Sequence, residues 1–187
     1  GLDLSLGMLR SASHPELVNA DVTALPFRDG WADVIVAPHM LYHVPDRAAA
    51  AGEFRRVLAP GGVLIAVTNG EGHLRELREV AQRVVGQPGW RMRSPATESF
   101  RLENGADQLA VAFGSVRRVL PRDAAPVVIT DPAVAADYVA SMGDVYAPEV
   151  GMPWPDVVAG VRVAVGEIIA ARGSFTVVGH SGAFVCR

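Results

Sequence analysis

Two aspartates near the start of the chain are placed where a ligand could be bound. Asp3 lies at the carboxyl end of a short apolar run, Gly1–Ser5, and Asp21 directly follows a second one, Leu17–Ala20. In an open α/β sheet the ligand crevice lies outside the carboxyl ends of the strands, where an acidic side chain can accept hydrogen bonds from two ribose hydroxyls. The alternative for a single aspartate at a strand end is a cap or a turn former.

Two histidines, His39 and His43, are the candidates for proton transfer. Imidazole titrates near neutrality, so either ring could act as a general base. His39 follows a predicted strand and is the better placed of the two, whereas His43 could instead bond the turn that follows it. The sequence places no third ligand near this pair, so we predict no metal site.

The stretch from Trp31 to Asn69 contains the elements that must position these residues. Ala32–Ala37 is an apolar, β-branched run typical of a strand buried on both faces. Asp46 can cap a helix over Arg47–Leu58, and Pro60-Gly61-Gly62 ends it before a second strand at Val63–Val67. A strand, a crossover helix and a strand in this order form a right-handed parallel unit, so the predicted fold class is α/β.

Composition limits the function classes. The chain has 187 residues, half of them hydrophobic, which is enough for one domain with a sizeable core. A net charge of −3 shows no overall basic excess of the kind that holds nucleic-acid phosphates, although a local basic patch is compatible with it. Cys186 is the single cysteine, which excludes an internal disulfide and is consistent with a reducing cytoplasm. No apolar run reaches the roughly 20 residues that a membrane helix needs.

Four segments in the first part of the chain carry a specific resemblance. GLDLSLGML, ADVTALPF, WADVIVAPHMLYHVPD and FRRVLAPGGVLIAV follow one another in the order found in a known family. They resemble the class I S-adenosylmethionine-dependent methyltransferases of the small-molecule branch. The resemblance implies a Rossmann-like sheet, mostly parallel with an antiparallel C-terminal strand, and a helical and strand lid insertion.

The resemblance also implies roles for individual residues. It assigns the cofactor S-adenosyl-L-methionine to residues that follow three strands: Asp3, Leu4, Met8, Asp21, Val22, Ala37 and Pro38. By this resemblance Asp3 would hold the ribose hydroxyls, and Asp21 would accept from the adenine amino group. His39 would face the transferred methyl group as the catalytic residue. Ordinary packing is the alternative for the apolar members of the set.

One part of the family pattern is not found in these residues. The family's first strand and its glycine-rich loop would lie upstream of Gly1, so we expect the chain to be N-terminally incomplete. In the family that strand is central, and the strand at Asp33 would therefore lack one neighbour. Orphaned backbone groups cost roughly 1–3 kcal/mol each when buried. We expect either that residues are missing or that another segment fills the position.

The rest of the chain is predicted to cover and complete this core. We expect a core over residues 1–86, a lid over residues 87–156, and a C-terminal part over residues 157–187. Within these parts the patterns predict an amphipathic helix over His73–Val85 and a further helix over Val157–Ala171 that ends at Gly173. They also predict two strands joined by a turn at Pro121-Arg122-Asp123, and a terminal hairpin of Ser174–Val178 with Ala183–Arg187. The residues predicted to face the substrate are His43, Tyr138, Tyr146 and Trp154. Core packing is the alternative for the aromatic residues.

The leading hypothesis is an enzyme that transfers a methyl group to an oxygen or nitrogen atom of a small molecule. The rival is a truncated or inactive cofactor-binding remnant with a structural or interaction role. A base methyltransferase acting on ribosomal RNA is disfavoured by the acidic balance of the chain. The predicted partner is a small-molecule acceptor, with neither membrane nor nucleic acid, and the sequence leaves a homodimer open.

Overall fold

The computed structural model describes residues 1–93, 95–122 and 125–187. Asp123, which the sequence places in a turn, lies outside these ranges. The strands are Leu2–Asp3 (β1), Val18–Asn19 (β2), Ala32–Pro38 (β3), Leu58–Asn69 (β4), Val116–Val119 (β5), Val127–Ile129 (β6), Phe175–Val177 (β7) and Ser181–Cys186 (β8). The helices are Leu6–Ser11 (α1), Arg47–Val57 (α2), Arg75–Val85 (α3), Pro95–Ser99 (α4), Gly105–Leu109 (α5), Pro132–Ala140 (α6), Gly143–Tyr146 (α7) and Trp154–Arg172 (α8).

The chain forms two compact units. The first unit comprises residues 1–69, 99–120 and 181–187, and the second comprises residues 70–98 and 121–180. The three-part division predicted at residues 86 and 156 stays a prediction. In the described ranges no helix has the length and apolar character needed to cross a bilayer.

The strand–helix–strand unit predicted from the sequence is present in the first unit. Asp46 caps α2, its Oδ1 accepting a hydrogen bond from the Ala49 N–H at 2.9 Å. The helix buries an apolar face containing Phe54 and Val57. β3 and β4 are parallel, with Val34 opposite Val63. The α/β fold class is therefore confirmed.

β4 is longer than predicted because it begins at Leu58 rather than at Val63. The pairing with β3 shifts register between Ala32 and Val34, which is the mark of an irregularity of the β-bulge type. Gly62 lies in this irregular part, where a Cβ atom would come within 2.9 Å of the Ala59 carbonyl oxygen. Glycine is needed here because the backbones approach so closely.

The prediction that β3 is buried on both faces is wrong. Val34 is 55% exposed and Val36 is 58% exposed, although they lie in the middle of the strand. In the described residues β3 lies at the edge of its sheet, with β4 as its strand neighbour, and β1 and β2 form a separate two-stranded sheet. Side chains beside this open edge lack cover, in line with the expectation that this strand lacks a neighbour.

The prediction of a terminal hairpin is also wrong. β8 pairs antiparallel with β4 and β5 in a four-stranded sheet of order β3-β4-β8-β5, whereas β7 pairs with β6. The two strands that follow each other in sequence therefore belong to different sheets. Within the four-stranded sheet β8 alone runs against the other strands, as expected for a mostly parallel sheet with an antiparallel C-terminal strand.

The second unit is built mainly from helices around its own core. α3 ends at Gly86, which has a left-handed backbone (φ 63°), and α8 ends in the same way at Gly173 (φ 82°). Their buried faces include Leu77 and Val80 on α3 and Val161 on α8. The buried face of α3 agrees with the sequence pattern, and α8 ends at Gly173 as predicted.

Candidate functional site

Asp3 ends β1 and organises the turn that follows it. Its Oδ1 accepts a hydrogen bond from the Ser5 N–H at 2.7 Å. The Ser5 hydroxyl oxygen in turn accepts from the Met8 N–H at 3.3 Å and caps α1. The turn-forming role that the sequence left open for Asp3 is thus real, and it fixes the direction of the carboxylate.

Asp21 follows β2 and is held in a similar way. Its Oδ1 accepts from the backbone N–H of Thr23 at 2.8 Å and from the hydroxyl of the same residue at 2.7 Å. Both hydrogen bonds lower the pKa of the exposed Asp21 carboxyl, and the one from the Thr23 backbone N–H has the larger effect. Asp21 is therefore an ionised acceptor at neutral pH.

The two aspartates lie at the same edge of a small parallel sheet. β1 and β2 pair in parallel with Asp3 opposite Asn19, so both chains leave the sheet in the same direction. The Asn19 amide donates to the carbonyl oxygens of Asp3 at 3.0 Å and Leu4 at 2.8 Å, which ties the first exit to the second strand. This is the arrangement predicted from the spacing of the apolar runs.

The apolar residues predicted near the cofactor are divided between exposed and buried positions. Leu4 is 69% exposed and Met8 is 61% exposed. Val22, directly after Asp21, is buried in the core of the first unit. Leu4 and Met8 are therefore free to meet a ligand, because core packing does not occupy them.

His39 has the most unusual backbone of the predicted site residues. It directly follows β3 and has a φ of 51°, in the left-handed region that non-glycine residues seldom adopt. Its N–H donates to the Val67 carbonyl oxygen at 2.9 Å, so the end of the neighbouring strand β4 holds it there. The residue is exposed. Strain of this kind clusters at functional sites, where the surrounding structure maintains it.

His43 lies four residues further on, in a 3₁₀ turn over Leu41–His43. Its ring is exposed and lies against Tyr42, with ring centroids 4.6 Å apart and the planes tilted by 59°. The substrate-facing role predicted for His43 stays a prediction.

A cavity of about 520 Å³ lies between the two parallel pairs of the first unit. Its mainly apolar walls include Leu2 and Val18 from β1 and β2, and Val34, Val36 and Ala37 from β3. Pro38 and Val22, both predicted cofactor residues, also line it. The cavity therefore begins at the predicted cofactor residues and continues along the open edge of β3.

Two residues that the sequence did not single out hold one wall of this cavity. Arg56 and Glu53 on α2 bind the loop that follows Asp21, through Leu25, Phe27 and Asp29. Their i, i+3 spacing on a helix was the available signal, but such pairs usually lie on a solvated face.

The aromatic residues predicted to face the substrate lie in the second unit and differ in exposure. Tyr146 is buried in the core of that unit and stacks on Trp154, with ring centroids 6.3 Å apart. The Trp154 indole N–H donates to the Val139 carbonyl oxygen at 3.2 Å. Tyr138 is exposed on α6. For Tyr146 the structure shows the core packing that the sequence left as the alternative.

Comparison with known proteins identifies the segment that carries these strands. Residues 1–66 match the family described as the methyltransferase domain. The matched segment contains both aspartates, His39 and the β3–α2–β4 unit up to residue 66 of β4. Curated relatives are methyltransferases too: malonyl-(acyl-carrier protein) O-methyltransferase of Yersinia pestis is 34% identical over 90 residues, which are 46% of this chain and 34% of that protein.

A second curated relative has a different substrate in its name. Demethylmenaquinone methyltransferase of Staphylococcus epidermidis is 32% identical over 87 residues, covering 43% of this chain and 36% of that protein. The chain thus spans about a third of the length of the curated relatives it matches.

Solved structures show the same fold over the whole chain. A putative methyltransferase from an antibiotic biosynthesis pathway of Anabaena variabilis has a TM-score of 0.64 at 14% identity, covering 100% of this chain and 80% of that one. The YcgJ protein of a Bacillus species has a TM-score of 0.54 at 15% identity, covering 99% and 80%. Both show a Rossmann-like α/β fold for this chain.

Proposed function

We propose that this protein transfers a methyl group from S-adenosylmethionine to an oxygen or nitrogen atom of a small molecule. The observation that carries the proposal is the common edge at which Asp3 and Asp21 follow the parallel strands β1 and β2. The match of residues 1–66 to the methyltransferase-domain family supports it. The ribose and adenine roles of these two carboxylates belong to the proposal.

The residues present fit this cofactor. Two carboxylates have one oxygen, Oδ1, fixed by the N–H of Ser5 or Thr23, which orients the group before any ligand arrives. Exposed Leu4 and Met8 offer apolar surface beside them. When bound, S-adenosylmethionine supplies a methyl group on a sulfonium, a carbon that is open to in-line displacement.

His39 is the residue we propose for proton transfer. An oxygen or nitrogen nucleophile loses a proton as it is methylated, and a neutral imidazole can accept it near pH 7. The hydrogen bond from the His39 N–H to the Val67 carbonyl oxygen holds the residue at the exit of β3, beside Ala37 and Pro38. The remaining contribution of the chain is alignment of the acceptor and exclusion of water.

We propose a small-molecule acceptor, met in the first unit by His43, whose side chain is exposed. The names of the relatives support such an acceptor, because each names a methyl transfer to a small molecule or to a group on a carrier. The free Cys186 supports a reducing compartment, and the cytoplasm is the compartment we propose. A homodimer is the form of self-association that the sequence leaves open, and light scattering would measure it.

The second candidate is a remnant that binds the cofactor without transferring the methyl group. The two candidates share the aspartates and differ in whether a product is formed.

Calorimetric titration with S-adenosylmethionine and S-adenosylhomocysteine tests the shared part, with ATP as a control for general adenine binding. Incubation with methyl-tritiated cofactor and a panel of phenols, carboxylic acids and amines tests the transfer. Binding with labelled product supports the enzyme, and binding without any product supports the remnant. Failure to bind either ligand, in a protein that melts cooperatively, would refute both.

A further inference from the structure

The guanidinium group of Arg56 donates hydrogen bonds to one loop and to the neighbouring side chain of Glu53. Its Nε and Nη2 donate to the two carboxylate oxygens of Glu53, both at 2.7 Å. Nη2 also donates to the Leu25 carbonyl oxygen at 3.0 Å, and Nη1 donates to the Phe27 carbonyl oxygen and to Asp29, both at 2.8 Å. An arginine side chain has five N–H donors, and all five are engaged here.

Glu53 completes the attachment from the other side. Its Oε2 accepts a hydrogen bond from the Leu25 N–H at 2.8 Å, so Leu25 is held by both its N–H and its carbonyl group. The Gly30 N–H donates to the carbonyl oxygen of Arg56 at 3.0 Å, which attaches the far end of the same loop. The loop over residues 25–30 is thus bound along its length to α2.

This loop connects the predicted adenine-binding turn to the cavity wall. It begins directly after the turn in which the Ala24 N–H donates to the Asp21 carbonyl oxygen at 3.1 Å. It contains Phe27, whose ring stacks on Trp31 with centroids 4.3 Å apart and planes 6° apart. Phe27 and Trp31 both line the cavity. A substitution at Arg56 would therefore affect both the turn that contains Asp21 and the cavity wall that contains Phe27 and Trp31.

The arrangement requires arginine in particular. Three acceptor positions on the loop and a two-pronged contact with Glu53 match a planar fork, whereas the ammonium of lysine offers three donors at a single point. The hydrogen bonds from Arg56 lower the pKa of the Glu53 carboxyl, which keeps the pair charged. An isolated surface ion pair would contribute little, but Arg56 binds main-chain groups as well.

We propose that Arg56, oriented by Glu53, is a positioning residue that holds the 25–30 loop in the form that binds the adenosine part of the cofactor. The proposal rests on the function proposed above, since it assigns Asp21 to the adenine. A loop that adopts its binding form for about a tenth of the time binds its ligand about tenfold more weakly. We therefore expect Arg56→Lys to weaken S-adenosylhomocysteine binding about tenfold.

The test compares Arg56→Lys and Glu53→Gln with Arg55→Lys, a matched control on the same helix turn whose side chain is exposed. Calorimetry gives the dissociation constants for S-adenosylhomocysteine and for adenosine, and thermal melts give the stability of each variant. We expect Arg56→Lys to weaken both ligands by the same factor, Glu53→Gln to weaken them less, and the control to match the unmodified protein. Emission from Trp31 should also shift in Arg56→Lys.

The outcomes separate the two proposals. No binding by the unmodified protein defeats the proposed function itself. Normal binding by the unmodified protein and by Arg56→Lys, with only a lower melting temperature, shows that Arg56 is merely structural and overturns the inference. A larger loss for S-adenosylhomocysteine than for adenosine also overturns it, because the effect would then lie at the methionine end. If Arg56→Lys does not fold, the same comparison with Glu53→Gln decides.

Discussion

Asp3 can be changed in two ways that separate its roles in folding and in binding. The folding role is the hydrogen bond that its Oδ1 accepts from the Ser5 N–H at 2.7 Å. Asp3→Ala removes this bond, at a cost of about 1 kcal/mol in the free energy of unfolding. Asp3→Asn keeps a carbonyl oxygen for the Ser5 N–H, so its stability should stay within about 0.5 kcal/mol of the unmodified protein.

The binding role should respond much more strongly. A carboxylate that accepts from two ribose hydroxyls makes two hydrogen bonds of the charged kind, each contributing about 1.5–3 kcal/mol. Their loss in Asp3→Ala corresponds to a dissociation constant about 10² to 10⁴ times larger. Asp3→Asn loses the charge and one acceptor, so its loss should be roughly 10- to 100-fold.

The assay is calorimetric titration of all three proteins with S-adenosylhomocysteine, together with urea unfolding of each. An affinity that falls in parallel with stability, in Asp3→Ala but not in Asp3→Asn, would mean that Asp3 acts only through the turn at Ser5. An unchanged affinity in both variants would refute the ribose assignment outright.

Three further changes test other parts of the structure. His39→Gly should raise the free energy of unfolding by roughly 1 kcal/mol, because glycine adopts the φ of 51° without strain. The same change should lower methyl transfer about 100-fold in the tritium assay. A lower free energy of unfolding would show that the His39 ring packs as a structural group. Phe54→Ala should lower the free energy of unfolding by about 3–5 kcal/mol in urea titrations, since the side chain is 3% exposed in the first core, and a loss below 1 kcal/mol would contradict this packing. Burial raises the pKa of the Cys186 thiol from 9.0 to about 11. The folded protein should therefore react with Ellman's reagent at pH 8 only as fast as it unfolds. Because the unfolded thiol ionises at lower pH than the folded one, the free energy of unfolding should fall as the pH rises from 9.0 through about 11.

Local features of the fold could be predicted from the sequence because they depend on neighbouring residues. Asp46 caps α2 as its position in the sequence indicates, through a side-chain oxygen and the backbone N–H of Ala49. The β3–α2–β4 unit follows from two apolar runs on either side of a helix of the right length. The edge shared by Asp3 and Asp21 follows from the parallel direction of their strands.

Features that depend on distant parts of the chain were predicted less well. The glycine-rich segment before β8 has the composition of a hairpin turn, yet β8 pairs with β4 and β5, more than sixty residues away in sequence. Strand partners are chosen by the side chains that meet across the sheet, which composition does not reveal. In the same way, the exposure of Val34 depends on which strand lies beside β3 and not on the residue itself.

The contacts of Arg56 also depend on a distant part of the chain. Glu53 and Arg56 have the spacing of an ordinary surface pair, and what distinguishes them is a loop that begins nearly thirty residues earlier. The left-handed backbone of His39 is another such feature, because its N–H donates to Val67 of β4, a residue distant in sequence.

A crystal structure of this protein with S-adenosylhomocysteine would measure the position of the cofactor itself. We predict the ribose hydroxyls within about 3 Å of the Asp3 carboxylate, the adenine amino group within the same distance of Asp21, and the sulfur facing His39. A ligand bound elsewhere, or one that leaves both carboxylates in contact with solvent alone, would contradict the assignment of this edge as the cofactor site.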